Sequence, residues 1–374
     1  MVLELWLCVV CLVVWVGMGL LHGFFWAFRV RLRKAGGPVL DWPPVTVVIP
    51  ARDEAESIGR AVESLRRQAY GGPLRIVVAD DESSDGTGRL AIAAGADTVV
   101  RVPPRPAGWK GKLWAVSRAL AEVPSSNWFV LFTDADIEHV SPELVAALVA
   151  RAGTGYDMVS VMVQLRCESF AEKMLVPAFV FFFFMLYPPS YVKRGWATAA
   201  AGGCMLMRRE MVQKIGGVDG IKDALIDDCA LARKVRGAGG RIWLGVSELE
   251  TRSIREYGTA AEIRAMISRS AFEQLRHSWV LLAASVLGML FVFVMPAVLA
   301  ICGDGMAQLI AAATWAVSAL LFLPSVRWHK APAWTAACLP LIALFYLWAT
   351  VESAVAYWSG RGGTWKGRVQ DERV

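Results

Sequence analysis

Two aspartates stand one residue apart in the stretch FVLFTDADIEHV, residues 129–140. The apolar run before them predicts a buried strand, and like charges at a buried edge repel unless something compensates them. Residues i and i+2 of an extended strand face the same way, so Asp134 and Asp136 would converge on one point. A hard divalent cation is the simplest compensation, although many such pairs are solvated loop acids. His139 is a candidate third ligand, but a partly exposed turn histidine is the simpler interpretation.

Acidic residues also follow two earlier apolar runs. Asp53 and Glu54 come after VVIP, and Asp80 and Asp81 come after IVVA. Carboxylates at strand ends can accept hydrogen bonds from the N–H groups of a base or from ribose hydroxyls. The structural alternatives are a helix-capping box of Asp53 with Glu56 and the ordinary occurrence of aspartate in turns.

Three further features carry possible chemistry. Asp227 and Asp228 open the helical pattern IDDCALARKVRGAGG, either as N-cap carboxylates or as a general base, which contributes about 10²–10⁴-fold to a rate. Lys112 in GWKGKLWA is a candidate phosphate contact or a surface lysine at a helix start. Gly202 and Gly203 in ATAAAGGCMLMRRE indicate close approach to the backbone by an acceptor or a phosphate.

The elements that must position these residues alternate between strand and helix. β-Branched runs and helical spacing predict strands over 45–49, 74–79, 98–102 and 128–132, and helices over 54–67 and 113–121. This alternation implies an α/β fold with right-handed crossovers and a mostly parallel, Rossmann-like sheet covered on both faces. Ligands of such sheets bind beyond the carboxyl ends of the strands, where the acidic residues stand.

Composition separates the chain into apolar and mixed regions. The 374 residues are 56% hydrophobic and 19% charged, which is too apolar for a purely soluble protein and too charged for a membrane bundle alone. The net charge of +6 is modest. Nucleic-acid binding would need a basic face with aromatic side chains that stack on bases, and the sequence shows no such pattern. The seven cysteines are scattered without a disulfide-like layout, which predicts a reduced, cytoplasmic domain.

The regions predict a domain held between membrane segments. An N-terminal transmembrane anchor covers 1–28, a cytoplasmic domain covers 29–277, a membrane region covers 278–358 and a basic tail covers 359–374. The short apolar stretch 172–187 within the domain is predicted to be an interfacial or re-entrant helix, with an ordinary core helix as the alternative.

The C-terminal membrane region contains a conflict. Its three apolar segments, 279–302, 306–323 and 334–357, would leave the tail outside if all of them spanned the bilayer. Arg327, Lys330 and the basic tail prefer the cytoplasm, so one segment is predicted to be re-entrant or interfacial.

Together these motifs resemble the inverting family-2 glycosyltransferases, which have a GT-A fold. The resemblance is carried by VIPARDE, VVADDESSDGT, GKLWA, TDADI, AGGCMLMRRE with the following GGV, and IDDCALA, over roughly residues 45–257. More narrowly, the chain resembles the hopene-associated glycosyltransferases of hopanoid biosynthesis, through FTDADIEH, LVPAFVFFFFMLYP, AAAGGCMLMRRE, ALIDDCALA and the terminal WKGR.

The family resemblance implies a role for each candidate residue. Asp136 would bind a divalent cation, Mg²⁺ or Mn²⁺, on the donor diphosphate, and Asp134 would approach the ribose or the cation. Asp228 would be the base, with Asp227 standing where the family usually has glutamate. Gly202 and Gly203 would lie on the acceptor side. The nucleotide-sugar contacts would be Pro50, Asp53, Glu54, Asp80, Asp81, Lys112 and Asp134.

The implied activity is transfer of one sugar from a UDP-sugar to a hydroxyl of a lipid in the inner (cytoplasmic) membrane, with a hopanoid as the acceptor. The Gln-x-x-Arg-Trp motif of processive synthases is absent, and Phe272–Arg276 stands near its place. Another polyprenoid or a sphingolipid-like alcohol is the alternative acceptor. A membrane nucleotidyltransferase and a catalytically silent scaffold or transporter are the alternative classes.

Overall fold

The computed structural model describes residues 2–35 and 42–360, with the backbone of the short strands Thr364–Trp365 and Arg368–Val369. Most of the predicted basic tail therefore lies outside the described residues. The chain divides into two compact units. The sheet unit comprises the described parts of Val30–Leu165 together with Tyr191–Arg255, and the helical unit comprises the described parts of Met1–Arg29, Arg166–Ser190 and Glu256–Val374.

Strands β1 to β10 belong to the sheet unit. In chain order they are β1 (Arg31–Leu32), β2 (Val45–Ala51), β3 (Leu74–Asp80), β4 (Thr98–Arg101), β5 (Phe129–Thr133), β6 (Ile137–Glu138), β7 (Met158–Met162), β8 (Cys204–Arg208), β9 (Ile242–Ser247) and β10 (Arg252–Ser253).

The α-helices run through both units. In chain order they are α1 (Val2–Leu21), α2 (Ile58–Arg66), α3 (Thr87–Ala93), α4 (Gly111–Ala121), α5 (Leu144–Gly153), α6 (Phe170–Leu186), α7 (Pro189–Arg194), α8 (Arg209–Lys214), α9 (Asp227–Gly237), α10 (Ala260–Ser268), α11 (Ala271–Gln274), α12 (Trp279–Met289), α13 (Met295–Cys302), α14 (Gly305–Trp328) and α15 (Leu339–Trp358).

An eight-stranded sheet, in the order β1-β9-β7-β8-β5-β2-β3-β4, organises the sheet unit. Only β8 among these strands runs antiparallel, between β5 and β7. The β-branched residues of β2 and β3 are buried in register, with Val47 opposite Ile76 and Ile49 opposite Val78. A strand covered on both faces needs such a continuous apolar run. The predicted α/β class and mostly parallel sheet are confirmed.

The carboxyl ends of β2, β3 and β5 are neighbours, because β2 pairs with both of the others in parallel. These ends carry Ala51, Asp80 and Thr133. Loops that leave one edge of the sheet therefore bring the three predicted acidic strand ends together. A small antiparallel pair, β6 with β10, follows β5 along the chain and places Arg252 opposite Glu138.

The helical unit contains the long apolar helices. By length and composition, five helical segments of the described residues could cross a membrane: Val2–Leu21, Phe170–Arg194, Trp279–Cys302, Gly305–Trp328 and Ala333–Trp358. The four later predicted apolar segments lie within them, and 306–323 ends before its helix, which continues to Trp328. The anchor predicted over 1–28 is too long, because its helix ends at Leu21. The segment Trp279–Cys302 contains a π-helical turn, Leu290–Val294, ahead of Pro296, which cannot donate a backbone hydrogen bond.

Helix α6 has sharply defined ends. Ser169 and Glu172 form a capping box, in which the Ser169 hydroxyl accepts from the Glu172 N–H at 3.1 Å and the Glu172 carboxylate accepts from the Ser169 N–H at 2.8 Å. Pro188 and Pro189 follow its last turn and cannot continue it. The helix groups with the apolar helices in the helical unit, and its predicted interfacial placement stays a prediction.

Candidate active site

A cleft at the carboxyl end of the sheet gathers predicted site residues from five separate stretches. Its walls include Pro50 from β2, Lys112 from α4, Asp134 after β5, Gly202 before β8 and Asp227 from α9. No two of these stretches are adjacent in the sequence. The topology therefore brings together the residues that the motifs singled out one by one.

Lys112 joins two of the carboxylates. Its Nζ lies 2.8 Å from Asp134 Oδ1 and 3.0 Å from Asp227 Oδ2. Burial alone would lower the pKa of the Lys112 ammonium, but Asp134 and Asp227 together raise it above its usual value. Burial raises the pKa of Asp134, with contributions from Asp136 and Asp227 and opposition from Lys112. Lys112 is therefore a fixed positive charge inside the cleft, not the surface lysine of the alternative interpretation.

Asp228 has the properties of a general base. Burial raises its pKa to about 7, and the charge of Asp227 adds to this, while Lys112 and the backbone N–H groups of Cys229 and Gly202 oppose it. The N-cap of α9 is Ile226, so neither aspartate is the N-cap residue. A carboxyl group that is half ionised near neutral pH can accept a proton efficiently.

The TDAD stretch differs from its predicted geometry. Strand β5 ends at Thr133, and the chain turns immediately, with the Ile137 N–H donating to the Asp134 carbonyl at 3.2 Å. The extended arrangement that would make the two carboxylates converge is therefore wrong. Asp134 pairs with Lys112, whereas Asp136 Oδ2 lies 2.6 Å from the Nε of Arg255.

Arg255 is a site residue that the sequence interpretation missed. Its Nη2 also lies 2.8 Å from Glu54 Oε1, so one guanidinium links the end of β2 to the turn after β5. The small antiparallel pair of β6 with β10 delivers it. Nothing in the sequence around Arg255 signals this pairing, because its partners lie 119 and 201 residues away.

His139 is buried, and the partly exposed turn histidine is wrong. Only 1% of the residue is exposed. Its Nε2 lies 3.1 Å from the Thr133 hydroxyl and its Nδ1 lies 3.0 Å from the Thr251 hydroxyl. Burial lowers the pKa of His139 to about 4, so the ring is neutral. Because Thr133 also donates to the Gly203 carbonyl at 2.8 Å, the ring supports the strand end that carries Asp134.

The first two acidic strand ends hold their own loops in place. The Asp53 carboxylate accepts from the Ser84 N–H at 2.8 Å, and the Asp80 carboxylate accepts from the Ser83 N–H at 3.0 Å. Asp81 is 1% exposed and pairs with Arg52 at 3.3 Å. These contacts tie together the loops after β2 and β3, and the predicted nucleoside contacts stay predictions.

The capping box of Asp53 with Glu56, the structural alternative for this motif, does not form. Asp53 has a φ of 47°, and α2 begins only at Ile58, with Ser57 as its N-cap. The Glu54 carbonyl instead accepts from the N–H groups of Ser57 and Ile58. The left-handed backbone at Asp53 turns its carboxylate towards the Ser84 loop, away from the helix start.

The two glycines meet different neighbours. A Cβ on Gly202 would lie 3.3 Å from Asp228 Oδ2, and a Cβ on Gly203 would lie 2.9 Å from Val163 Cγ2. Gly202 therefore leaves space directly beside the candidate base, whereas Gly203 permits packing of the backbone against Val163. Their predicted approach to an acceptor stays a prediction.

The carboxylate oxygens of the site fit a divalent cation that completes its coordination shell with substrate phosphates. Among the described residues there is no group of three or more His, Cys, Asp or Glu side chains arranged as a metal site. The carboxylates of Glu54, Asp134, Asp136 and Asp227 share the two cationic side chains of Lys112 and Arg255. This surplus of hard oxygen ligands suits Mg²⁺ or Mn²⁺ held by one or two carboxylates, with substrate phosphates and water as the remaining ligands.

Comparison with known proteins supports the family resemblance over part of the chain. Residues 46–216 match the model of glycosyl transferase family 2. A stretch of 105 residues is 30% identical to the 4,4'-diaponeurosporenoate glycosyltransferase of Staphylococcus aureus (strain USA300), covering 28% of this chain and 27% of that protein. The chain therefore matches about a quarter of the length of such curated relatives.

A solved structure resembles nearly the whole chain. The mannosyltransferase PcManGT from Pyrobaculum calidifontis, in complex with GDP-Man and Mn²⁺, superimposes with a TM-score of 0.60 at 19% identity, covering 94% of this chain and 99% of that one. At this identity the likeness concerns the fold. The predicted GT-A fold is confirmed, and the same chain contains long apolar helices.

Proposed function

We propose that the protein is a membrane-bound inverting glycosyltransferase that moves one sugar from a UDP-sugar to a hydroxyl group of a membrane lipid, a hopanoid. The observation that carries the proposal is Asp228, whose carboxyl group has a pKa raised by burial to about 7 and lies beside Gly202. Gly202 lines the cleft together with Lys112 and Asp227. The family-2 match over residues 46–216 and the GT-A fold support sugar transfer as the reaction class.

The proposed reaction is a single displacement. Asp228 takes the proton from the acceptor hydroxyl as its oxygen attacks the anomeric carbon. A new bond forms between this carbon and the acceptor oxygen, the bond to the nucleotide diphosphate breaks, and the departing phosphate oxygen keeps the electron pair. Attack from the opposite face inverts the configuration. Lys112 supplies fixed positive charge within the cleft for the departing diphosphate.

A divalent cation fits beside these residues. Asp136, with Asp134, would hold it, and when bound it would neutralise charge on the leaving diphosphate. Glu54 and the loops that carry Asp53, Asp80 and Asp81 lie at the same edge of the sheet, which supports their assignment to the nucleotide. Gly202 borders Asp228, which supports placing the acceptor hydroxyl on that side, with Gly203 behind it.

The first test measures turnover directly. Full-length protein in detergent is incubated with UDP-sugars and lipid extract, and release of nucleoside diphosphate is followed. Asp228→Asn and Asp136→Ala should lose activity while keeping the wild-type circular dichroism spectrum, and Asp219→Asn, which changes an exposed aspartate, should not. Normal turnover in either site variant would refute the assignment. Release of pyrophosphate would favour the nucleotidyltransferase.

The second test identifies the acceptor. Lipid extracts of cells with and without the protein are compared by mass spectrometry. A hexose or N-acetylhexosamine increment on a pentacyclic lipid is expected. The same increment on another polyprenoid or on a sphingolipid-like alcohol would keep the enzyme class and change the acceptor, whereas unchanged glycolipids would count against lipid glycosylation altogether.

The sheet supports one orientation of the central apolar segment. Strands β7 and β8 precede and follow Phe170–Arg194, and they pair in the same sheet. Both ends of this segment must therefore lie on one side of the bilayer, as an interfacial or re-entrant helix would require. The basic cluster at Arg29–Lys34 supports a cytoplasmic location for that side, and we propose that the membrane is the inner membrane.

Contacts within the helical unit support a re-entrant arrangement of Ala333–Trp358. The start of the segment lies beside the middle of α14, where the Trp315 indole N–H donates to the Ala337 carbonyl at 2.9 Å. Its end lies beside α10 and α11, with Glu352 3.1 Å from Arg264 and the Ser353 hydroxyl accepting from the Phe272 N–H at 3.1 Å.

Helices α10 and α11 immediately precede the span that begins at Trp279, so the end of α15 shares their side of the membrane. In this arrangement three segments of the described residues cross the bilayer fully, namely Val2–Leu21, Trp279–Cys302 and Gly305–Trp328. We therefore propose that the C-terminus lies in the cytoplasm. A green fluorescent protein fused to the C-terminus should fluoresce, and alkaline phosphatase fused after Asp304 should be active. If green fluorescent protein fused to the C-terminus is dark and alkaline phosphatase fused to the C-terminus is active, the re-entrant segment is refuted.

A further inference from the structure

The predicted cation ligand Asp136 already has a positive partner. The Nε of Arg255 lies 2.6 Å from Asp136 Oδ2, and its Nη2 lies 2.8 Å from Glu54 Oε1. The side chains of Asp136 and Glu54 are 12% and 13% exposed, whereas that of Arg255 is 37% exposed. The guanidinium therefore stands on the solvent side of two nearly buried carboxylates.

The main chain fixes Arg255 in this position. Strand β10 pairs antiparallel with β6, and the Ile254 N–H donates to the Asp136 carbonyl at 2.8 Å. The Arg255 N–H donates to the Ser253 hydroxyl at 3.3 Å. Backbone and side-chain contacts thus both connect this segment to the turn that carries Asp136, and the ion pair is part of a built structure.

We propose that Arg255 is a resident counter-ion of the predicted cation site and makes binding of the cation depend on the nucleotide. The inference rests on the proposed function, in which Asp136 holds the cation. A cation that binds Asp136 must displace the Arg255 Nε from the same carboxylate, which costs a charge-assisted hydrogen bond. A nucleotide diphosphate brings negative charge that can pair with both the cation and the displaced guanidinium.

The consequence is a positive coupling between the two ligands. Without nucleotide, Arg255 competes with the cation, and without the cation, Asp136 holds Arg255 away from the nucleotide. Each ligand relieves the competition that opposes the other, and this coupling must be equal in both directions. Replacing Arg255 by a neutral side chain should therefore strengthen cation binding alone and weaken the coupling.

Arg252 provides a matched control. It lies on β10, three residues before Arg255, and pairs with Glu138 at 3.0 Å and Glu250 at 3.1 Å. Its side chain is 43% exposed, close to the value for Arg255, and neither of its partners is a predicted cation ligand. Arg252→Gln removes one positive charge from the same segment, so it reports any general electrostatic effect.

The test measures binding of Mn²⁺ to full-length protein in detergent. Free Mn²⁺ is followed by electron paramagnetic resonance, with no nucleotide and with saturating UDP or GDP. Without nucleotide, Arg255→Gln should bind Mn²⁺ about tenfold more tightly than wild type, as loss of one competing charged hydrogen bond predicts. The gain in Mn²⁺ affinity on adding nucleotide should be smaller in Arg255→Gln than in wild type and Arg252→Gln.

The outcomes separate the inference from the proposed function. If wild type binds Mn²⁺ with nucleotide and Asp136→Asn does not, but Arg255→Gln matches wild type in both conditions, Arg255 is not a counter-ion and only the inference fails. If Asp136→Asn binds Mn²⁺ as wild type does, the cation lies elsewhere, and the inference fails together with the Asp136 assignment. Circular dichroism confirms that each variant is folded.

Discussion

The rate of sugar transfer should follow the ionisation of Asp228. Its pKa of about 7 means that about one tenth of the molecules carry the carboxylate at pH 6 and about nine tenths at pH 8. If the carboxylate is the base, kcat/KM should rise about tenfold between these values. Asp228→Asn should lower kcat by about 10²–10⁴-fold, because the amide cannot accept the proton.

Two neighbouring side chains should move this profile in opposite directions. Asp227 raises the pKa of Asp228, so Asp227→Asn should shift the midpoint of the profile to lower pH. Lys112 lowers the same pKa, so Lys112→Met should shift the midpoint to higher pH, whereas Lys112→Arg keeps the charge and should leave it nearly unchanged.

The assay is nucleoside diphosphate release at low acceptor concentration, measured from pH 5.5 to 9 on full-length protein in detergent. The midpoint, not the absolute rate, is the readout, because both neighbours lie in the cleft and their replacement also slows turnover. A flat wild-type profile between pH 6 and 8 would refute the role of Asp228. Shifts of the same sign in Asp227→Asn and Lys112→Met would refute the electrostatic explanation.

Three other predictions concern His139, the helix-capping residue Glu172 and the glycine pair Gly202 and Gly203. Burial keeps His139 neutral in the fold, so the unfolded chain binds more protons between pH 6.5 and 4, and acidification should cost up to about 3 kcal/mol of unfolding free energy. His139→Gln should abolish this dependence of the unfolding free energy on pH, measured by chemical denaturation at several pH values. An unchanged pH dependence in the variant would mean that other groups cause it. Glu172→Gln should lower the free energy of unfolding by about 3 kcal/mol. The buried carboxylate accepts hydrogen bonds from the backbone N–H groups of Glu168, Ser169 and Tyr257 and from the Arg166 side chain. An unchanged melting temperature in the variant would contradict this. Gly202→Ala should lower kcat and leave the melting temperature nearly unchanged. Gly203→Ala, whose new Cβ clashes with Val163, should mainly lower the melting temperature. Equal losses of stability in the two variants would contradict a special role of Gly202 beside Asp228.

The sequence could predict the features that depend on local pattern. The β-branched runs of β2, β3 and β5 predict buried parallel strands because a strand covered on both faces requires them. The parallel arrangement of these strands in turn predicts that the acidic residues that follow them lie at one edge of the sheet. Pairs such as Lys112 with Asp227 could not be predicted, because no local rule connects residues that are distant in the chain.

The TDAD turn shows a second limit. Alternation along a strand applies only while the strand lasts, and β5 ends one residue before Asp134. Strand ends are set by hydrogen bonds to neighbouring strands, here to Met205 and Cys204 of β8, which lie about seventy residues further along the chain. The same reason explains His139, whose burial depends on Thr251 and on the pairing of β6 with β10.

The order of strands in the sheet also determines when the protein can be completed during synthesis. Strand β8 fills the place between β5 and β7, and β1 closes against β9, whose sequence lies more than 200 residues later. One hydrogen-bonding edge of β5 therefore stays uncovered while the apolar helix α6 is synthesised. The edge strand β1 likewise has no partner until β9 is synthesised. Such late, long-range pairing is slow and exposes strand edges to aggregation. Chains that stop between β7 and β8 should consequently accumulate as insoluble fragments, and the rate of synthesis through residues 163–246 should influence the yield of folded protein.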